Sequence, residues 1–202
     1  MTQRFYRGPA VSADAEVPAA DAPALRTYTK AQFRDDGALT RTEVYDGGRP
    51  IEVNYYDPED EDRTVASHAR EYPGIRLSIW TTLGESPEYV WKYVRSYDAA
   101  GAPVAFSKIL ADRERRELMQ IEMDERHRVA RITKYYWDAD GQLRYVFEFN
   151  GDGEPYGVTD VLYGDHASLA DIRPDLGDAE FYETADALPR ALAGTGIPPD
   201  PH

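Results

Sequence analysis

Tyrosine and tryptophan are the residues of this sequence with the clearest chemical potential. The chain contains 15 tyrosines and three tryptophans, and their rings stack on ligands, pack in protein interfaces and fill half-buried strand faces. Several recur at alternate positions, the spacing at which side chains share one face of a strand. We predict a binding site on such an aromatic face, with the residues Trp91, Tyr93, Arg131, Tyr135, Trp137 and Tyr145.

Arginines and glutamates provide a second kind of chemistry between residues 113 and 148. A row of arginines on one face of a sheet can hold an anionic ligand. The same arginines can instead pair across strands with Glu117, Glu122 and Glu148 on a solvated face. The sequence leaves both interpretations open.

Nucleophilic catalysis has little support in the residue pattern. The chain has no cysteine and no Gly-x-Ser-x-Gly motif, which removes thiol chemistry and the usual serine nucleophile turn. The glycine pairs at residues 47–48 and 151–153 lie in predicted hairpins rather than between a strand and a helix, so they do not resemble phosphate-binding loops. An enzyme is therefore the less favoured class.

Histidine and carboxylate pairs are few and irregularly spaced. None has the helix or strand spacing of a known metal site, and we expect no metal and no cofactor. The pairs considered are His68 with Glu71, Asp124 with His127, and Asp160 with Asp165 and His166, while the fourth histidine is the terminal His202.

A short phrase of an aromatic residue, an aspartate and a glycine organises the region from residue 95 to 163. It reads Tyr-Asp-Ala-Ala-Gly at residues 97–101 and Trp-Asp-Ala-Asp-Gly at residues 137–141. The aspartate can accept hydrogen bonds from its own backbone, and the glycine can take a positive φ, so each phrase predicts a tight turn. Looser copies at residues 112, 124 and 152 give a spacing of one strand plus one hairpin connection.

These phrases carry a resemblance to known repeats. Residues 97–101 and 137–143 resemble the tyrosine-aspartate repeats of RHS-type shells and the hairpins of MORN-variant repeats. The resemblance covers about a third of the chain and implies a shared style of hairpin. The Gly-Arg-Leu step that follows the turn in the family is absent here, so no functional residue is carried over.

The segments between the turns alternate as half-buried strands do. In residues 143–149, Leu143, Tyr145, Phe147 and Phe149 share one face, and β-branched and aromatic residues favour strand over helix. The sequence predicts a mainly β fold, an antiparallel meander of about eight to ten strands, strongly curved or barrel-like. One or two short helices are expected near the C-terminus, around residues 168–193.

Three parts of the chain differ in residue composition and hydrophobic pattern. Residues 1–25, rich in alanine, proline and aspartate in their second half, predict an extended N-terminal tail. Residues 26–163 predict the antiparallel domain, and residues 164–202, which include Pro174, predict a helical and irregular segment packed on the sheet. The chain lacks a long apolar run and residues 1–25 lack the apolar segment of a signal peptide, so we expect a protein that spans no membrane. The absence of cysteine makes a reducing cytoplasm the expected compartment.

Net charge indicates the kind of partner. A formal charge of −14 disfavours contact with nucleic acid phosphates and suits a basic protein. Our first hypothesis is an acidic binding protein, of the immunity type, that neutralises a basic toxin or partner. The alternatives are a small enzyme or ligand-binding protein with an aromatic-lined pocket in a curved sheet or barrel, and a homo-oligomer paired through a sheet edge.

Overall fold

Thirteen strands form one sheet in which neighbours are mostly also neighbours in the chain. The structure, a computed structural model, describes residues 1–173 and 176–201. In chain order the strands are β1 Thr2–Arg7, β2 Glu16–Val17, β3 Thr27–Phe33, β4 Leu39–Asp46, β5 Arg49–Tyr56, β6 Arg76–Glu85, β7 Tyr89–Tyr97, β8 Pro103–Asp112, β9 Glu117–Met123, β10 Val129–Trp137, β11 Leu143–Asn150, β12 Pro155–Asp160 and β13 Asp165–His166. Their order across the sheet is β13-β12-β11-β10-β9-β8-β7-β6-β5-β4-β3-β1-β2.

The prediction of a mainly β meander is confirmed, but the strand count of eight to ten is wrong. Strands β1, β2 and β13 account for the excess, because their segments lack the alternation by which the sequence reveals the other strands. The described strands form an open order with different strands at its two ends, so the sheet does not close into the predicted barrel.

Aspartate and glycine form the turns as predicted. The Asp98 carboxylate accepts hydrogen bonds from the backbone N–H groups of Ala100 at 2.8 Å and Ala102 at 3.0 Å. Gly101 has a φ of +83°, a value that costs glycine little. The second phrase repeats this geometry around Asp138.

The looser copies form the same turn with different residues. Asp112 and Asp124 accept backbone N–H groups as Asp98 does, while Arg115 and His127 take the positive φ that glycine supplies elsewhere. In the last turn the acceptor is Asn150 rather than the predicted aspartate at residue 152. The turn therefore depends on the side-chain acceptor more strictly than on the glycine.

The chain divides into two compact units. Unit 1 comprises residues 1–81 and 94–104, and unit 2 comprises residues 82–93 and 105–202. In unit 1 the strands β5 and β6 pair in parallel across helix α1, Glu61–Glu71, so the meander is not wholly antiparallel. The charge run predicted as a loop at residues 57–62 begins this helix, since the Asp60 carboxylate accepts the backbone N–H of Arg63 at 2.9 Å.

Within unit 1, the segment predicted as an extended tail contributes strands to the sheet. Strand β1 pairs antiparallel with β3, and β2 pairs with β1. Tyr6 and Ala22 are both buried. Backbone pairing and the buried Tyr6 side chain place residues 2–7 in the sheet rather than beside it.

The C-terminal segment of unit 2 packs on one face of its strands. It holds two short helices, α2 Leu169–Ile172 and α3 Ala179–Glu183, in agreement with the expected one or two. Ile172, Leu176, Phe181, Tyr182 and Leu192 join a core cluster with the strand residues Trp91, Tyr93, Phe106, Leu110, Met119, Ile121, Ile132, Tyr145 and Phe147. Residues Pro174, Asp175 and His202 lie outside the described part of the chain.

One lysine fixes this segment to the sheet. The side chain of Lys134 is fully buried, and its Nζ donates hydrogen bonds to the carbonyl oxygens of Phe181, Thr184 and Ala187 at 2.6–2.7 Å. Burial lowers the pKa of Lys134 to about 7, and the charges of two nearby aspartates act in the opposite direction. The three carbonyls match the three donors of an ammonium group.

The end of the segment is fixed by a second contact. The Asp200 carboxylate lies 2.7 Å from the Lys108 Nζ and 3.1 Å from the His127 Nδ1.

Among the residues that the structure describes, no helix combines the length and the apolar composition needed to cross a membrane.

Candidate functional site

The strands of unit 2 have two different faces, which we call the core face and the outer face. The core face carries the cluster beneath the C-terminal segment. The outer face is the opposite one, and on β9, β10 and β11 it carries Gln120, Glu122, Arg131, Thr133, Tyr135, Trp137, Val146 and Glu148. Strand register places these residues side by side, since Gln120 pairs with Thr133, and Tyr135 pairs with Val146.

The six predicted binding residues divide between the two faces. Trp91, Tyr93 and Tyr145 lie in the core cluster, together with buried residues of the C-terminal segment. Arg131, Tyr135 and Trp137 lie on the outer face of β10 and keep contact with solvent. The structure thus brings three of the six residues together on an accessible surface.

Arg131 is paired with two carboxylates. Its guanidinium lies 2.8 Å from Glu122 Oε1 on β9 and 3.5 Å from Glu148 Oε1 on β11. Hydrogen bonding to Glu122, with the charges of both carboxylates, raises the pKa of Arg131. Two negative groups surround one positive group, so this part of the outer face is unsuited to an anionic ligand. Of the two earlier interpretations, cross-strand pairing describes Arg131.

Tyr135 and Trp137 are each held by one hydrogen bond to β9. The Tyr135 hydroxyl donates to Gln120 Oε1 at 3.1 Å, and the Trp137 indole N–H donates to the Glu117 carbonyl oxygen at 2.7 Å. Burial, followed by the charges of Glu117 and Glu122, raises the pKa of Tyr135 to about 12. Both rings are therefore fixed and uncharged at neutral pH.

Exposed apolar side chains adjoin this face where the chain leaves β12. Val161, Leu162 and Tyr163 are 43%, 62% and 69% exposed. Arg144 links this loop to β11, because its guanidinium lies 3.0 Å from Asp160 Oδ2 and 5.2 Å from the centre of the Tyr163 ring. Exposed apolar groups that adjoin one another commonly mark an interaction surface.

Negative charge is concentrated in the same part of the sequence. Residues 138–202 contain 14 aspartates and glutamates but only three arginines and no lysine. The sequence reasoning used only the total charge and missed this asymmetry, which a count by segment reveals.

Two surface recesses of unit 2 lack the predicted binding residues. One, of about 490 Å³, is lined by Asp178, Glu180, Asp186 and Arg190 together with small residues. The other, of about 440 Å³, is lined mainly by charged side chains between residues 87 and 118. Neither is the aromatic-lined pocket that the alternative hypothesis requires. The described residues also include no group of three or more histidines or carboxylates arranged to hold a metal ion.

Unit 1 contains a buried ionic cluster that sequence reasoning missed. Glu43, only 2% exposed, accepts hydrogen bonds from Lys30 at 3.1 Å and from the Tyr45 hydroxyl at 2.7 Å, and it lies 3.0 Å from Arg41. Burial alone would raise the pKa of Glu43, but these hydrogen bonds and the two cations together lower it. Alternation along β4 puts Arg41, Glu43 and Tyr45 on one face, a signal visible in the sequence.

We expect the Glu43→Gln variant to be less stable than the parent protein by about 2 kcal/mol near neutral pH, since Lys30, Arg41 and Tyr45 lose a charged acceptor. The folded-state pKa of Glu43 lies below its ordinary value of 4.5. Its stabilising effect is therefore present above that value and is lost as the pH falls through the folded-state pKa. Urea unfolding at a series of pH values measures this effect.

The two unfolding curves should converge on the acid side. A difference that stays constant from above pH 4.5 to the most acidic pH at which both proteins remain folded would contradict the linkage assigned to Glu43. The exposed residue Glu59 provides a matched control, because the Glu59→Gln change removes the same charge without a buried partner.

Comparisons with known proteins supply no relative by sequence. No family model matches the chain, and no curated protein matches it. Among solved structures, a crystal structure of TarM is similar over 60% of this chain, with 11% identity and a TM-score of 0.19. An S. aureus TarM mutant in complex with fondaparinux, alpha-GlcNAc-glycerol and UDP gives the same values. The matched part spans 28% of the TarM chains, and a likeness at this level assigns neither fold nor activity.

Proposed function

We propose that this protein binds a basic protein partner through the outer face of unit 2, in the manner of an immunity-type protein that neutralises a basic toxin. One observation carries the proposal. The buried side chains of the C-terminal segment all join the core face, whereas the outer face retains Tyr135, Trp137 and the exposed loop at residues 161–163.

The composition of this surface resembles that of protein interfaces. Tyrosine and tryptophan are enriched at interface centres because they bury much area and keep a polar group. Here the rings are already fixed by hydrogen bonds to β9, so binding would cost less side-chain entropy. A preorganised aromatic surface supports the binding of a folded partner.

Charge supports a basic partner. A formal net charge of −14, with an excess of carboxylates in residues 138–202, gives the protein a negative potential that attracts a cationic protein and speeds its association. Arg131 and Arg144 are both neutralised by carboxylates and leave this potential in place. The same field would repel nucleic acids.

The end of the sheet formed by β12 and β13 is better suited to contact through side chains than to pairing with a strand of another chain. Strand β12 begins with Pro155, is irregular where it pairs with Phe149, and is covered by β13 at Thr159 and Asp160. Proline, bulges and short covering strands limit the pairing of a sheet edge with another chain. A homo-oligomer formed by edge pairing is therefore the less favoured alternative.

The test compares the parent protein with a Val161→Ser, Tyr163→Ser double variant. Each is used to capture proteins from a lysate of the source cell, and the retained protein is then purified and titrated by calorimetry. We expect a partner of basic isoelectric point that the double variant binds at least about tenfold more weakly. Raising the salt from about 50 mM to about 300 mM should weaken parent binding several-fold.

The control is Ile51→Ser, which removes an apolar side chain that is 45% exposed in unit 1. This variant should bind the partner as the parent protein does. A purified partner that is acidic, or one whose affinity is unchanged in the double variant, would contradict the proposed function.

A further inference from the structure

Glu117 differs from the other carboxylates of the outer face. Glu122 and Glu148 both pair with Arg131. The Glu117 side chain makes no hydrogen bond and no ion pair with any residue that the structure describes, although it is partly buried at the start of β9. Among the described residues, this carboxylate therefore has no cation paired with it.

The lack of a cation beside Glu117 is reflected in the pKa of its carboxyl group. Burial raises the pKa of Glu117, and no neighbouring cation lowers it. Removing a carboxylate from water without a partner is unfavourable, and a cation at close range reverses the effect. The complementary ligand is therefore positively charged.

Two aromatic residues of β10 adjoin Glu117. The Trp137 indole donates to the backbone oxygen of Glu117 itself, and the charge of Glu117 acts on the Tyr135 hydroxyl. The faces of tryptophan and tyrosine attract cations, most strongly where water is partly excluded. A carboxylate with two aromatic rings is a common arrangement for holding a lysine or arginine side chain.

We infer that Glu117, Tyr135 and Trp137 form a seat for one lysine or arginine side chain of the basic partner. The inference rests on the proposed function and names the point of the outer face at which charge recognition occurs. The cationic group would lie against the rings and pair with the Glu117 carboxylate. Its arrival would supply the positive charge that the folded chain does not.

The test uses single amino acid derivatives as probes. Nα-acetyl-arginine amide and Nα-acetyl-lysine amide are titrated into the labelled protein while the Trp137 indole N–H resonance and the Glu117 carboxyl resonance are followed by NMR. We expect both cationic probes to shift these resonances and to lower the pKa of Glu117. The neutral Nα-acetyl-glutamine amide should leave them unchanged.

Two variants separate the seat from the general charge of the surface. Glu117→Gln should weaken binding of the cationic probes at least about fivefold. Glu125→Gln, which removes an equal charge at an exposed position, should stay within about twofold of the parent protein. Glu117→Gln should also be at least as stable to urea as the parent, because an unpaired, partly buried charge is removed.

The outcomes distinguish the seat from the proposed function. If the cationic probes leave Trp137 unshifted, or if Glu117→Gln binds them as the parent protein does, the seat is wrong. In that case, loss of the basic partner in the Val161→Ser, Tyr163→Ser variant would still support the outer face as its binding surface. Loss of probe binding in Glu117→Gln with partner binding unchanged in the double variant would place the error in the proposed function.

Discussion

Replacing Lys134 with methionine is expected to lower the free energy of unfolding by about 3 kcal/mol, since each buried carbonyl left without a donor costs about 1–3 kcal/mol. The Lys134 ammonium satisfies three backbone carbonyls of the C-terminal segment. Methionine fills most of the same volume but donates no hydrogen bond. Urea unfolding measures the change in stability.

The loss of stability in Lys134→Met should be larger in the C-terminal segment than in the rest of the fold. Amide hydrogen exchange at residues 181–187 should accelerate more than exchange in β9 and β10, because only the C-terminal segment loses its attachment. Arg126→Gln is a suitable control, since it removes one positive charge from an exposed side chain. A Lys134→Met variant with parental stability and exchange would refute the role assigned to this ammonium group.

Replacing Gly151 with alanine should lower the free energy of unfolding by about 1–3 kcal/mol, the usual cost of forcing extra atoms into packed structure. A Cβ atom at residue 151 would lie 2.3 Å from the carbonyl oxygen of Val129. Backbone cannot move aside as a flexible side chain can, so β10 and the turn after β11 would have to separate. Thermal unfolding and urea unfolding both measure this loss.

Gly157 provides the matched control. A Cβ atom there meets no other atom within 4 Å, and Gly157→Ala should remain within about 0.5 kcal/mol of the parent protein or exceed it slightly. Equal effects of the two substitutions would show that close approach of Val129 does not explain the requirement for glycine at residue 151.

Turn chemistry was predictable because it is local. An aspartate that accepts N–H groups two and four residues ahead needs no information from the rest of the chain, and the turns at Asp98 and Asp138 formed as expected. Strands β1 and β2 were not predictable in this way. Their residues show no alternation, and they are ordered by pairing with β3 and with each other.

The choice of face was the main limit on predicting the site. Alternation separates Tyr135 and Trp137 from Ile132 and Lys134, but it does not reveal which set the C-terminal segment covers. The segment covers the face with Lys134, whose three carbonyl partners lie about 50 residues further along the chain. A lysine within a strand predicts solvent exposure, and only tertiary structure shows the acceptors that permit its burial.

Glu117 illustrates the same limit for charge. The sequence shows arginines at residues 113, 115 and 116 close to this glutamate, which predicts an ion pair. In the structure Arg113 binds Glu85, and Arg116 binds Asp112, while Arg115 takes the positive φ of its turn and forms no ion pair with Glu117. Which of several neighbouring cations reaches a carboxylate depends on the turn geometry and the competing partners, and both are properties of the fold.

The nearly sequential strand order has a consequence for the speed of folding. From β4 to β13 each strand pairs with the one that precedes it in the chain, so most pairings close only a short loop and lose little chain entropy. Proteins dominated by such local contacts fold faster than β proteins with distant pairings. Two pairings need a longer connection. Strands β5 and β6 pair in parallel across helix α1, and β1 lies between β3 and β2. These two pairings, rather than the hairpins, are expected to set the rate at which the sheet forms.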